Sequence, residues 1–113
     1  MSERALDELA QIIERGGEPD DVLRGIVAML AAEPGISWAG IAFLEEGQLV
    51  LGPHAGEQDA AHRIQVPVEF QAEPVGELWA DGDADPAFLE RVAALTSAHV
   101  LIGWDTGGQA WEP

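Results

Sequence analysis

The stretch Ile64-Gln-Val-Pro-Val-Glu-Phe70, a short turn, Val75-Gly-Glu-Leu-Trp-Ala80, then Asp85-Pro-Ala-Phe-Leu89 decides the fold. Ile64, Val66, Val68 and Phe70 alternate with other residues, the period of a strand with one buried face. Ala72-Glu73 turns the chain, and Val75 to Ala80 pairs back. Pro67 has no backbone N–H, so its strand is expected at a sheet edge or bulge. Asp85 then suits a helix N-cap, with Pro86 at the first helical position. That helix runs through Phe88, Leu89, Val92 and Leu95 toward Ile102 and stops at Gly103. It is apolar around most of its circumference, so burial on more than one side is expected: one side on the sheet, the other on a second subunit.

Upstream, Leu6, Leu9 and Ile13 recur at helical spacing, and Gly16-Gly17 ends that helix. Pro19 with Asp20 and Asp21 opens a second helix, whose stripe is Val22/Leu23, Ile26/Val27 and Leu30, up to Pro34-Gly35. Trp38 to Leu44 reads as a strand, Glu45-Glu46-Gly47 as a hairpin turn and Gln48 to Leu51 as its partner. Gly52-Pro53 is expected to close that strand, and a polar loop follows to about Ala61. The expected fold class is therefore α+β: an antiparallel sheet of at least four strands, with the N- and C-terminal helices packed on one face. The 113 residues make one domain over 1–103, with 104–113 as a C-terminal tail.

The missing residue types limit the chemistry. There is no Cys, hence no thiolate nucleophile, disulfide or thiolate metal ligand. Absent Lys excludes Schiff-base and Walker-type roles, and absent Tyr a phenolic acid or base. The net charge is −16, and the only permanent cations are Arg4, Arg15, Arg24, Arg63 and Arg91. Such a surface repels phosphate backbones, so neither nucleic acid nor an anionic membrane is an expected partner. A charged N-terminus and the lack of any long apolar run predict a cytoplasmic protein.

Several short pieces, in this order, resemble the GAF domain family, most closely its free methionine-(R)-sulfoxide reductase branch. They are Trp38-Ala39-Gly40, Leu49-Val50-Leu51-Gly52-Pro53, Ala55-Gly56, Arg63-Ile64, Val66-Pro67-Val68, Val75-Gly76-Glu77-Leu78 and the helix at Phe88. The resemblance covers most of the chain and implies a small-molecule pocket or a cysteine-based reductase. Four departures oppose the reductase. Only about ten residues join the Gly-Pro strand to the Val-Pro strand, where the family has a segment carrying a helix and cysteines. Ala61 stands in the place of one family cysteine. Of the two Asp that the resemblance would place two apart to bind an ammonium, Trp79 replaces the first and Asp81 retains the second. Arg63 falls near an expected binding Glu and reverses its sign. Sulfoxide reduction requires an attacking and a resolving thiol, and this chain has neither.

Gly35-Ile-Ser-Trp-Ala39 approaches a nucleophile elbow, but its helix-to-strand context makes Ser37 a polar strand residue. His54, Glu57, Asp59 and His62 match no metal-binding spacing. Asp81-Gly-Asp-Ala-Asp85 fails a calcium loop, because Pro86 and Val92 stand where Gly and Glu are needed. No metal or cofactor is expected. The preferred reading is a non-catalytic, homodimeric interaction or regulatory module. Its interface is expected at Leu6, Ile13, Leu101 and Trp104. The alternative is a small-molecule sensor whose reduced pocket is lined by Trp38, Phe43, His54, His62, Trp79 and Asp81. An enzyme related to the sulfoxide reductases ranks last.

Overall fold

The computed structural model describes the backbone over residues 3–15 and 19–104, and side chains over 4–15, 21–97 and residue 100. The order is α1 (Glu3–Arg15), α2 (Pro19–Ala31), β1 (Ile36–Glu45), β2 (Gln48–Gly56), a short 3₁₀ turn (Ala60–His62), β3 (Arg63–Phe70), β4 (Glu73–Gly82) and α3 (Pro86–Trp104). The four strands form one antiparallel sheet in the order β2-β1-β4-β3. Helices α2 and α3 lie against the sheet, and α1 packs on both of them. The expected α+β architecture is what the chain adopts.

Side-chain alternation sorts the sheet into two faces. Ala39, Ile41 and Phe43 of β1, Leu78 and Ala80 of β4, and Val66 and Val68 of β3 enter the core. There they meet Leu23, Ile26, Val27 and Leu30 of α2, and Phe88, Leu89, Val92, Ala93 and Val100 of α3. Ala5 and Leu9 complete this core from α1. These residues of α3 are thus covered on several sides within one chain, by β1, β3 and β4 and by the other two helices. Leu95 is the one large apolar side chain of the helix that is left exposed among the described residues, at 50%.

The start of α3 is held as its sequence predicts. The Ala87 N–H donates to Asp85 Oδ1 at 3.1 Å, which satisfies one of the free donors of the first turn. Pro67 sits on β3, an edge strand, where a missing donor costs the ladder nothing.

Two boundaries differ from expectation. Strand β2 does not stop at Gly52-Pro53 but continues to Gly56, after a register irregularity opposite Gly40 to Ala42 absorbs the two residues. The second turn falls at Gln71-Ala72, both with positive φ (52° and 68°), so Glu73 already belongs to β4. Among the described residues, no helix is long and apolar enough to cross a membrane.

Candidate functional site

The second face of the sheet, away from the helices, carries the polar and aromatic residues. Register places them in rows across the strands. Gly56, Trp38, Asp81 and Arg63 form one row, and His54, Gly40, Trp79 and Gln65 the next. Gly56 has φ +99° and turns the chain off β2, its geometry pinned by the Glu57 N–H donating to Ser37 O at 2.9 Å. The loop 57–62 that follows lies over the Arg63 end of the first row.

At the centre is an ion pair internal to the chain. Arg63 Nε donates to Asp81 Oδ1 at 2.7 Å and Nη2 to Oδ2 at 2.9 Å, a bidentate fork on adjacent strands. Asp81 is fully buried, and the Arg63 side chain is 18% exposed. The Asp59 N–H adds a 2.6 Å bond to Asp81 Oδ2, and Gln58 Oε1 accepts from Arg63 Nη2 at 3.2 Å. The hydrogen bonds from Arg63 hold the Asp81 carboxyl below its ordinary range; burial opposes them, and the Asp59 amide and the Arg63 charge assist. Arg63 is shifted the other way, upward, chiefly by the same hydrogen bonds.

The guanidinium also lies over two indoles, 4.5 Å from the ring centre of Trp38 and 5.3 Å from that of Trp79. Such contacts contribute about 0.5–2 kcal/mol each, more as water is excluded. Trp38 can lie along the sheet only because residue 40 is glycine. A Cβ there would come within 2.5 Å of the far edge of the indole. Trp79 Nε1 donates to Glu77 Oε1 at 2.8 Å, whereas Trp38 Nε1 is buried without a hydrogen-bond partner.

The residues expected to line a pocket divide as follows. Trp38, His54, Trp79 and Asp81 share the second face. The His54 ring is 5.9 Å from that of Trp38, and its Nδ1 donates to Gly52 O at 3.0 Å, leaving Nε2 as the ring's acceptor when neutral. His62 is exposed at the rim, bonded through Nδ1 to Asp59 Oδ2 at 2.8 Å. Phe43 is a correction: one residue of parity away from Ala42, it points into the helix-side core and lines nothing on this face. Of the expected interface, Leu6 and Ile13 are half-buried against the core. The side chains of Leu101 and Trp104, and the tail with Trp111, lie outside the described residues. Of the carboxylates in Asp81-Gly-Asp-Ala-Asp85, Asp81 is consumed by Arg63 and Asp85 by the start of α3. Arg63 as the occupant of the face was missed, although its place opposite Asp81 follows once β3 and β4 are paired at Val66 and Leu78.

No protein-family model matches the sequence, and no curated protein matches it. Solved structures do match. The GAF domain from the Acinetobacter phosphoenolpyruvate-protein phosphotransferase superposes with a TM-score of 0.70 at 16% identity, covering 95% of this chain and 98% of that one. The type II free methionine-R-sulfoxide reductase from Thermoplasma acidophilum gives 0.63 at 22% identity, over 73% of this chain and 91% of its own. The fRMsr of Staphylococcus aureus, in complex with substrate, gives 0.68 at 18% identity, over 85% and 93%. Identities this low speak to architecture alone, and the architecture is shared by all three: this chain has the GAF-like fold.

Proposed function

We propose that the chain is a non-catalytic GAF-like module that acts through contacts with other protein chains, the second face of its sheet being filled by its own side chains. One observation carries this reading. Asp81, the single carboxylate left where the family resemblance implies an ammonium-binding pair, is already saturated by Arg63, whose cation lies over Trp38 and Trp79. A cationic ligand would have to displace an internal cation held by two charge-assisted hydrogen bonds and two aromatic faces. The absence of cysteine supports the same reading, since no thiol is available to take oxygen from a sulfoxide. The test is a titration with free methionine sulfoxide followed by calorimetry and tryptophan fluorescence. No saturable signal is expected up to millimolar ligand; a saturable one overturns the reading.

A second reading, a small-molecule sensor, is favoured by one feature only: the buried, unpartnered Trp38 Nε1. A buried donor left unpaired costs about 1–3 kcal/mol, which a small acceptor seated beside it would recover. Native mass spectrometry of the protein as purified separates the two. An added mass that survives desalting selects the sensor, and bare protein the interaction module.

A further inference from the structure

We propose that the outer edge of β2 is a strand-pairing surface whose occupant is a second copy of this chain, β2 against β2, antiparallel about a two-fold axis at Val50. The inference concerns a part of the sheet remote from the Arg63–Asp81 pair and stands whether or not the second face takes a ligand.

Three observations carry it. The first is where the backbone groups point. Glu46 and Gly47, with φ 49° and 80°, make a two-residue hairpin turn flanked by the pair Glu45 and Gln48. Residues flanking such a turn exchange hydrogen bonds, and the pattern then alternates along the ladder. Val50, opposite Phe43, therefore bonds to β1, while Leu49 and Leu51, opposite Leu44 and Ala42, direct N–H and C=O outward from the sheet. β2 is an edge strand, so among the described residues no neighbouring strand receives them.

The second is exposure. Leu49, Val50 and Leu51 are 40%, 40% and 36% exposed, three of the four exposed large apolar residues among those described. Edge strands usually carry charge or proline against such contact, and β3, the opposite edge, carries Arg63, Pro67 and Glu69. Gln48 to Leu51 has neither.

The third is charge, which leaves this edge open to a second copy, together with a register that is self-complementary about Val50. From Gln48 to Gly56 there is no Asp, Glu or Arg, in a chain of net charge −16. Two copies repel each other over most approaches, and this uncharged edge lets them meet with the least like-charge opposition. The competing surface, the depression between α1 and α3, is lined by Asp7 and Arg91 besides Leu6, Ala94 and Leu95. Pairing about Val50 sets Leu49 opposite Leu51 of the second copy, and Leu51 opposite its Leu49. Outward groups then meet outward groups in two hydrogen-bonded pairs.

Sedimentation velocity across the micromolar range, in moderate salt, tests this. The wild-type chain is expected at twice its 12.0 kDa mass. Leu49→Pro deletes the outward N–H and leaves the β1 ladder intact; by symmetry two bonds are lost, and the dimer dissociation constant should rise about tenfold or more. Val50→Glu places a carboxylate against its own copy at the two-fold axis and should give monomer; it also decides the matter if circular dichroism shows Leu49→Pro unfolded. Leu95→Glu, on the helical side, should leave the dimer unchanged. A monomeric wild type, or a dimer abolished by Leu95→Glu and kept by both β2 variants, overturns the proposal. The methionine sulfoxide titration is independent of these outcomes, so failure of the edge and failure of the filled-face reading remain distinguishable.

Discussion

Replacing Arg63 with Met tests the centre of the second face most directly. Methionine keeps an unbranched apolar stem against Trp38 and Trp79 but removes the cation and both bonds to Asp81. The carboxylate is then fully buried with the Asp59 N–H as its remaining donor. Breaking a buried pair from one side costs about 3–5 kcal/mol when the other charge is left behind. Asp81 has an escape, which is to take up a proton. Against an unfolded value near 4, protonation costs about 1.4 kcal/mol per pH unit, hence roughly 4 kcal/mol at pH 7 and roughly 1.5 at pH 5. Those figures cap the charge penalty, so the variant should be about 3–4 kcal/mol less stable than wild type at pH 7. The gap should shrink to about 1–2 kcal/mol at pH 5. Urea unfolding followed by tryptophan fluorescence at the two pH values measures both. A gap below 1 kcal/mol at pH 7, or one that does not change with pH, refutes the account of Asp81 as a buried carboxylate neutralised by Arg63.

Further outcomes follow from the same geometry. In the wild type the folded Asp81 holds its proton less tightly than the unfolded one, so its contribution is complete above about pH 4 and is lost as pH falls through the lower folded value. Asp81→Asn should flatten that part of an acid-unfolding curve, and an unchanged curve would assign the slope to other carboxylates. Gly40→Ala forces a methyl against the Trp38 indole and should cost about 1–3 kcal/mol by overpacking, read as a lower urea midpoint. Asp85→Ala removes the cap of α3 and should cost about 1 kcal/mol in the same assay. Self-repulsion at net charge −16 predicts a melting temperature that rises from low to moderate salt; a flat dependence would show that repulsion is not limiting.

Most of the fold was legible because its signals are local. The two-residue period at Ile64 to Phe70, the helical spacing of Leu6, Leu9 and Ile13, the Asp85-Pro86 start and the Gly47 turn are each set by nearest neighbours along the chain. Errors came where local rules compete. Gly52-Pro53 reads as a strand end, yet the strand continues because β1 supplies a partner on the far side of the irregularity. Phe43 reads equally well as pocket or core, because an apolar run such as Trp38 to Leu44 carries no alternation to say which face each residue takes.

What the sequence by itself determined is the inventory: no thiol, no amine side chain, one carboxylate where two are implied, and a large acidic excess. What only the tertiary structure decided is who meets whom. Arg63 and Asp81 are 18 positions apart, and their charges carry no sign of pairing until β3 and β4 align in register and bring both to the same row and face. The same holds for Phe88, Leu89, Val92, Ala93 and Val100 of α3, whose apolar character in sequence does not say what covers them, and which the sheet, α1 and α2 enclose once the chain closes. Local periodicity specifies which face of an element is apolar; only the packed arrangement of all the elements specifies what covers it.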